Sequence, residues 1–189
     1  MKYDKKIQEQ FNIFSQMLRN WSLRYNLVAR TTLNDIEIRH ITDSAQLADF
    51  LPHDKQIIDL GSGAGFPAVV LAIMGFNVIA IESVGKKINF LSAVKTELKL
   101  DNLVVINDRI ENYLRATKSR NIIFTARAFA NLTKIFDLTK NVRGAGYALL
   151  KGRSVMDEIS DAQTKYKFNY KLTPSITGDG FILTIPRIG

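Results

Sequence analysis

The chain has 189 residues, 46% of them hydrophobic, which suits one full core and argues against disorder. It has no cysteine and only two histidines, so disulfides, thiolate nucleophiles and cysteine-ligated zinc or iron–sulfur clusters are excluded, and no metal is expected. The net charge of +8 favours an acidic partner, nucleic acid above all, although a merely basic surface explains it equally well.

Residues 1–10 are polar and lack the apolar stretch of a secretory signal. The longest apolar run, 66–75, is too short to span a bilayer, so a cytoplasmic protein without membrane contact is expected. Phe11, Phe14, Leu18 and Trp21 recur at helical spacing. A second helix is predicted over 32–50, with Ile36, Ile41, Ala45 and Ala48 on one side and Pro52 ending it. Residues 1–52 are therefore expected to form a helical extension packed on a core domain of residues 53–189.

From there short β-branched runs alternate with helical stretches. Strands are predicted at 56–60, 77–81, 103–106, 121–125 and 147–150, and helices at 66–74, 86–99, 110–116, 131–141 and 155–166. The alternation indicates βαβ units around a parallel sheet, an α/β fold. Runs at 168–172 and 181–186 flank Thr177-Gly178-Asp179-Gly180 and predict a closing antiparallel hairpin. Five parallel strands plus such a hairpin is the Rossmann-like layout of class I methyltransferases.

The sharpest motif, Asp59-Leu60-Gly61-Ser62-Gly63-Ala64-Gly65-Phe66-Pro67, follows the first strand and opens a helix. Glycines allow a tight turn and close approach of backbone to a ligand, and free N–H groups there suit an anion. No P-loop pattern exists, and Phe66 stands where a dinucleotide fingerprint has its third glycine. An acid followed by G-x-G-x-G resembles the first motif of methyltransferases that use S-adenosylmethionine (SAM). Asp59 is placed to meet the methionine ammonium, directly or through water. Glu82, closing the second strand, is placed to accept from ribose hydroxyls, a role that fits SAM and NAD alike.

Basic residues follow strand after strand: Lys86 and Lys87, Arg109, Arg127, then Lys151 and Arg153. These ends form the ligand edge of an open α/β sheet, where cations hold an RNA backbone in register. Lys86 and Lys87 also oppose their helix dipole by roughly 0.3–1 kcal/mol each, which a phosphate would offset. In Arg39-His40-Ile41-Thr42-Asp43-Ser44, His40 and Asp43 lie one turn apart and are expected to hydrogen-bond. His40 either docks the N-terminal helices or walls the RNA pocket.

Taken in order, 21–27 (Trp-Ser-Leu-Arg-Tyr-Asn-Leu), 39–44, 59–67, 82–87 with Phe90-Leu91, Arg109-Ile110-Glu111, Arg127-Ala128 and Lys151-Gly152 resemble the RsmG (GidB) family. The resemblance implies SAM-dependent methylation of nitrogen 7 of guanine 527 in 16S rRNA of the small ribosomal subunit. It also implies SAM contacts at Gly61, Phe66, Ile110, Glu111 and Arg127; the glycine loop adds Gly63 and Gly65 to the expected cofactor site, and a monomer is expected. Ala68 replaces the family's usual glycine, which a helix tolerates. A methyltransferase for another RNA or a small molecule, or a basic RNA-binding module without turnover, are the alternatives.

The chemistry asks little of the protein. Nitrogen 7 carries an unprotonated lone pair, so no proton must leave and no general base is required. None is evident in the chain. It lacks a cysteine for attack on a pyrimidine carbon, and it lacks the Asn/Asp-Pro-Pro-aromatic motif used on exocyclic amines. Proximity and orientation, worth roughly 7–11 kcal/mol, would carry the reaction.

Overall fold

The computed structural model describes residues 3–117, 121–178 and 180–189, with no side-chain description for Arg30; Asp179 of the predicted turn lies outside them. Helix α1 (Lys5–Ser22) is capped by Asp4, which accepts from the Ile7 N–H at 2.8 Å, and buries Phe11, Phe14 and Leu18. The predicted 32–50 helix is a broken one. A 3-10 turn (Arg30–Thr32) is followed by a π-helix (Glu37–Thr42), a short α2 (Asp43–Ala45) and a second 3-10 turn (Gln46–Phe50). The reason is local. Ile36, Ile38, Ile41 and Thr42 are β-branched, and the Thr32 and Thr42 hydroxyls donate to the carbonyls of Ala29 and Glu37. Ile36, Ile41 and Ala45 still turn inward.

Seven strands form one sheet in the order β3-β2-β1-β4-β5-β7-β6. They are β1 (Gln56–Leu60), β2 (Val78–Glu82), β3 (Leu103–Asn107), β4 (Ile122–Arg127), β5 (Gly146–Lys151), β6 (Lys171–Pro174) and β7 (Phe181–Ile185). The first five are parallel, and β7 runs antiparallel to β5 and β6. Strand β6 starts later than the predicted 168, because Phe168 turns onto Phe136, with ring centroids 5.1 Å apart, before the strand begins.

Helices α3 (Ala68–Ile73), α4 (Gly85–Glu97), α5 (Ile110–Ala116), α6 (Leu132–Thr139) and α7 (Val155–Gln163) connect the strands. Alternation along β1 sends Ile57 to one core, with α1, α3 and α4, and Ile58 to the other, with α5, α6 and α7. Trp21 and Phe14 of α1 meet Phe90 and Phe66 edge-on or tilted at 5.5 and 5.2 Å, seating the N-terminal segment on the first core. The strand order reverses between β1 and β4, and the carboxyl ends of these strands face one edge, where α/β folds bind ligands. The 175–180 turn reaches the same edge, because Phe181 pairs with Lys151.

Candidate active site

The glycine loop leaves β1 in left-handed backbone. Gly61 has φ +68°, and a Cβ there would lie 2.5 Å from the Phe129 ring. Only glycine satisfies both constraints. Glu82 ties the loop to the next strand. Its Oε2 accepts from Gly63 N–H at 3.0 Å, and its Oε1 accepts from the Ser83 and Val84 N–H groups at 2.8 and 2.9 Å. The carboxylate predicted for ribose thus already organises backbone, with lone pairs left over. Lys87 Nζ stands 3.7 Å from Glu82 Oε2, so this lysine turns toward the loop rather than outward.

A cavity of about 520 Å³ opens beyond these strand ends, lined by Gly61, Glu82, Ile110, Glu111, Phe129 and Asp108 among others. Asp108 was not singled out in the sequence. It accepts from Arg109 N–H at 2.7 Å and Asn112 Nδ2 at 2.9 Å, and so holds the start of α5. The mix of apolar wall and acidic groups suits a nucleoside.

Asp59 lies beneath the loop, 1% exposed. The β1–β4 register sets it beside Thr125, whose hydroxyl donates to Oδ1 at 3.0 Å, while Oδ2 has no partner. Burial lifts its pKa from 3.8 to about 7, which Ser62, Thr125 and the Ala68 backbone only partly oppose. A buried carboxylate oxygen lacking a donor fits an ammonium ligand, and on this count the residues present suit SAM.

Across β4 lies a second polar centre. The Arg127 guanidinium, buried at the end of β4, gives Nε to Asp43 Oδ2 at 3.0 Å, one terminal nitrogen to His40 Nδ1 at 2.7 Å and the other to the Arg39 carbonyl at 2.8 Å. Thr32 Oγ1 donates to Ala29 O, so it accepts from His40 Nε2 at 2.9 Å. That fixes His40 as the neutral Nε2–H tautomer. Burial, with Arg127 and Arg39 nearby, lowers its pKa from 6.5 to about 4. The expected His40–Asp43 hydrogen bond is replaced by this bridge through Arg127. Asp43 Oδ1 instead accepts from Gln46, Ser175 and Thr177 at 2.9, 3.2 and 3.0 Å. A cavity of about 280 Å³ lies here, bounded by Arg39, His40, Arg127, Thr177 and Phe181.

The other predicted positions divide by direction. Lys86, Arg109 and Arg153 are exposed along the edge. Lys151 is not: its side chain is 7% exposed, bonded to Glu158 at 2.6 Å and to the Ala130 carbonyl at 2.9 Å. Phe66 and Arg127 lie away from the larger cavity; the Phe66 ring stacks under His40 at 5.0 Å. Gly63 has φ +56° and gives its N–H to Glu82, and Gly65 has φ +91° and packs on Val69. Sequence reasoning gave no individual site role to Arg39, Ala128, Phe129, Thr177 or Phe181, which line the two cavities. Ala128, left-handed at φ +50°, lines both cavities, and nothing in its residue type signals this.

The family described as GidB, rRNA small subunit methyltransferase G, matches residues 7–179. A ribosomal RNA small subunit methyltransferase G from Orientia tsutsugamushi (strain Ikeda) is 45% identical over 91% of this chain and 87% of its own length. The protein of that name from Rickettsia prowazekii is 37% identical over 100% of the chain and 98% of its own length. A SAM-dependent methyltransferase structure from Aquifex aeolicus shares the fold, with TM-score 0.62 and 16% identity over 82% of this chain and 96% of that one.

Proposed function

Because the chain belongs to the rRNA small subunit methyltransferase G family, we propose that it methylates nitrogen 7 of guanine 527 in 16S rRNA, using SAM. The observation that supports this most directly is the family match across residues 7–179, whose glycine loop carries a buried carboxylate oxygen without a partner. Gly61, Glu82, Ile110 and Glu111 would hold the nucleoside part of the cofactor, and Asp59 its ammonium. Bound there, the cofactor would supply an electrophilic methyl group on cationic sulfur for the unprotonated nitrogen 7.

The chain's own residues bind and orient. No side chain has to accept a proton, and the neutral, hydrogen-bonded His40 is not needed as a base. Arg127, locked by Asp43 and His40, holds the β4 end and the N-terminal segment together. Lys86, Arg109 and Arg153 would meet phosphates. The protein is proposed to act as a monomer in the cytoplasm, where the ribosomal subunit is made. Incubation with labelled SAM and small subunits lacking the modification, followed by mass mapping, tests this. N7-methylguanine at 527 is expected; label at another base or none refutes it.

A further inference from the structure

The two cavities meet at one residue. Ala128 lines both, follows Arg127 at the end of β4, and holds a left-handed φ of +50° that a larger side chain would crowd. We infer that the 280 Å³ cavity receives a guanine swung out of the RNA stack, and that Arg39 donates to its O6 carbonyl. The inference rests on the methyl transfer proposed above and gives that transfer its acceptor site.

Several observations converge. A base stacked in an RNA helix shows nitrogen 7 only in a deep, narrow major groove that side chains cannot enter, so the base must leave the stack. The cavity is small, below the range of drug-sized pockets, as a single base requires. Its surfaces suit a flat ring, with Phe181 on one wall and the His40 imidazole, backed by Phe66, on another.

Its charged walls point to one base. Guanine places an acceptor, O6, beside nitrogen 7, where adenine places an amino group. Arg39 and Arg127 offer only donors. Arg127 spends three nitrogens on Asp43, His40 and the Arg39 carbonyl. Arg39 lines the same cavity, is exposed, and has no ion pair among the described residues. Arg127 keeps two of its five N–H groups, but its guanidinium is fixed by these bonds, whereas no described carboxylate holds that of Arg39. A guanine bound this way would keep nitrogen 7 directed at Ala128 and the larger cavity, while adenine would set its amino group against a cation.

The roof is formed by residues 175–178 with Phe181. Gln46 accepts from Ile176 N–H at 3.1 Å and donates to Ser175 Oγ at 2.8 Å, and Asp43 takes the Thr177 hydroxyl. Thr177 and Phe181 are thereby held over the cavity.

Gly152 provides the test. It lines the cavity, its φ is not left-handed, and a Cβ added there meets nothing within 4 Å among the described residues. Gly152→Leu should fill the space without strain. Small subunits are reassembled with 6-methylisoxanthopterin, a fluorescent guanine analogue that keeps O6, at the target position. Binding of the wild-type protein should raise emission as the analogue unstacks. Gly152→Leu should bind SAM and subunit with near wild-type affinity, leave emission unchanged, and lose methyl transfer by about 100-fold. Arg39→Gln, a change at an exposed side chain, should lower transfer to guanine and inosine by roughly 10- to 100-fold with SAM affinity unmoved. An emission rise and transfer rate in Gly152→Leu equal to wild type would overturn the pocket, and unaltered transfer in Arg39→Gln would overturn the donor. An emission rise in the wild type, with no N7-methylguanine formed in parallel reactions on subunits that keep guanine at the target, would instead refute the proposed reaction and leave the pocket standing.

Discussion

Replacing His40 by glutamine should remove an acid sensitivity from folding. His40 is 8% exposed and neutral, with a pKa lowered from 6.5 to about 4. Between those values the unfolded chain binds the proton and the folded chain does not. Stability is therefore fully present above 6.5 and falls as pH drops toward 4. At about pH 5 nearly every unfolded chain carries the proton but only about a tenth of folded ones, so the loss relative to about pH 7.5 comes to about 2 kcal/mol. Asp59 acts with the opposite sign. Its folded pKa is raised to about 7, so the folded state binds more protons between 3.8 and 7 and gains stability as pH falls. Comparing wild type with His40→Gln cancels that term, because both chains keep Asp59. Urea unfolding at the two pH values measures the difference. Glutamine can still accept from Arg127 and donate to Thr32, so its fixed cost appears at both. The wild type should lose about 2 kcal/mol more than the variant on acidification. Parallel pH slopes would refute the neutral-tautomer assignment.

Three further outcomes are expected. SAM binding at about pH 6.5 should release a proton, because a cation beside the unpartnered Asp59 oxygen favours the carboxylate; calorimetry in buffers of different ionisation enthalpy reads this. Asp59→Asn should abolish the buffer dependence and weaken binding by about 1–3 kcal/mol. Lys86→Ala and Arg109→Ala should each lower the salt slope of RNA binding by about 1. Lys87→Ala, at a lysine turned toward Glu82, should leave that slope unchanged when binding is titrated between low and high salt. Gly61→Ala should destabilise the chain by about 1–3 kcal/mol in urea melts, since it meets both a φ of +68° and the Phe129 ring at 2.5 Å. Gly63→Ala, with nothing closer than 3.8 Å, should cost less.

The central parallel strands were readable because both faces are buried, which writes continuous β-branched runs such as Ile57–Ile58 and Ile122–Ile123 into the chain. The glycine loop was readable because left-handed backbone restricts residue type. Direction was not readable. Lys151 and Arg153 are both basic and two positions apart, yet one closes a buried ion pair with Glu158 and the other is exposed. The deciding partner sits on α7, and only packing brings it near. The 32–50 segment was misread because its inward positions recur at helical spacing while its threonine hydroxyls compete for backbone carbonyls. The smaller cavity left no local signature. It depends on the β5–β7 register, which puts Phe181 opposite Lys151, and on side chains more than 80 positions apart, as the Arg127–His40 separation of 87 shows.

The hydrogen bonds from Asp43 and Gln46 to Ser175, Ile176 and Thr177 join residues 129 to 134 positions apart. Synthesis runs from the N-terminus, so a growing chain holds Asp43 and Gln46 long before their partners exist. The strands and loop of the larger cavity are complete by β4, and a nascent chain can assemble them early. The smaller cavity must wait for the last strand pair to leave the exit tunnel and dock. The smaller cavity is thus the part of the molecule that takes its shape last.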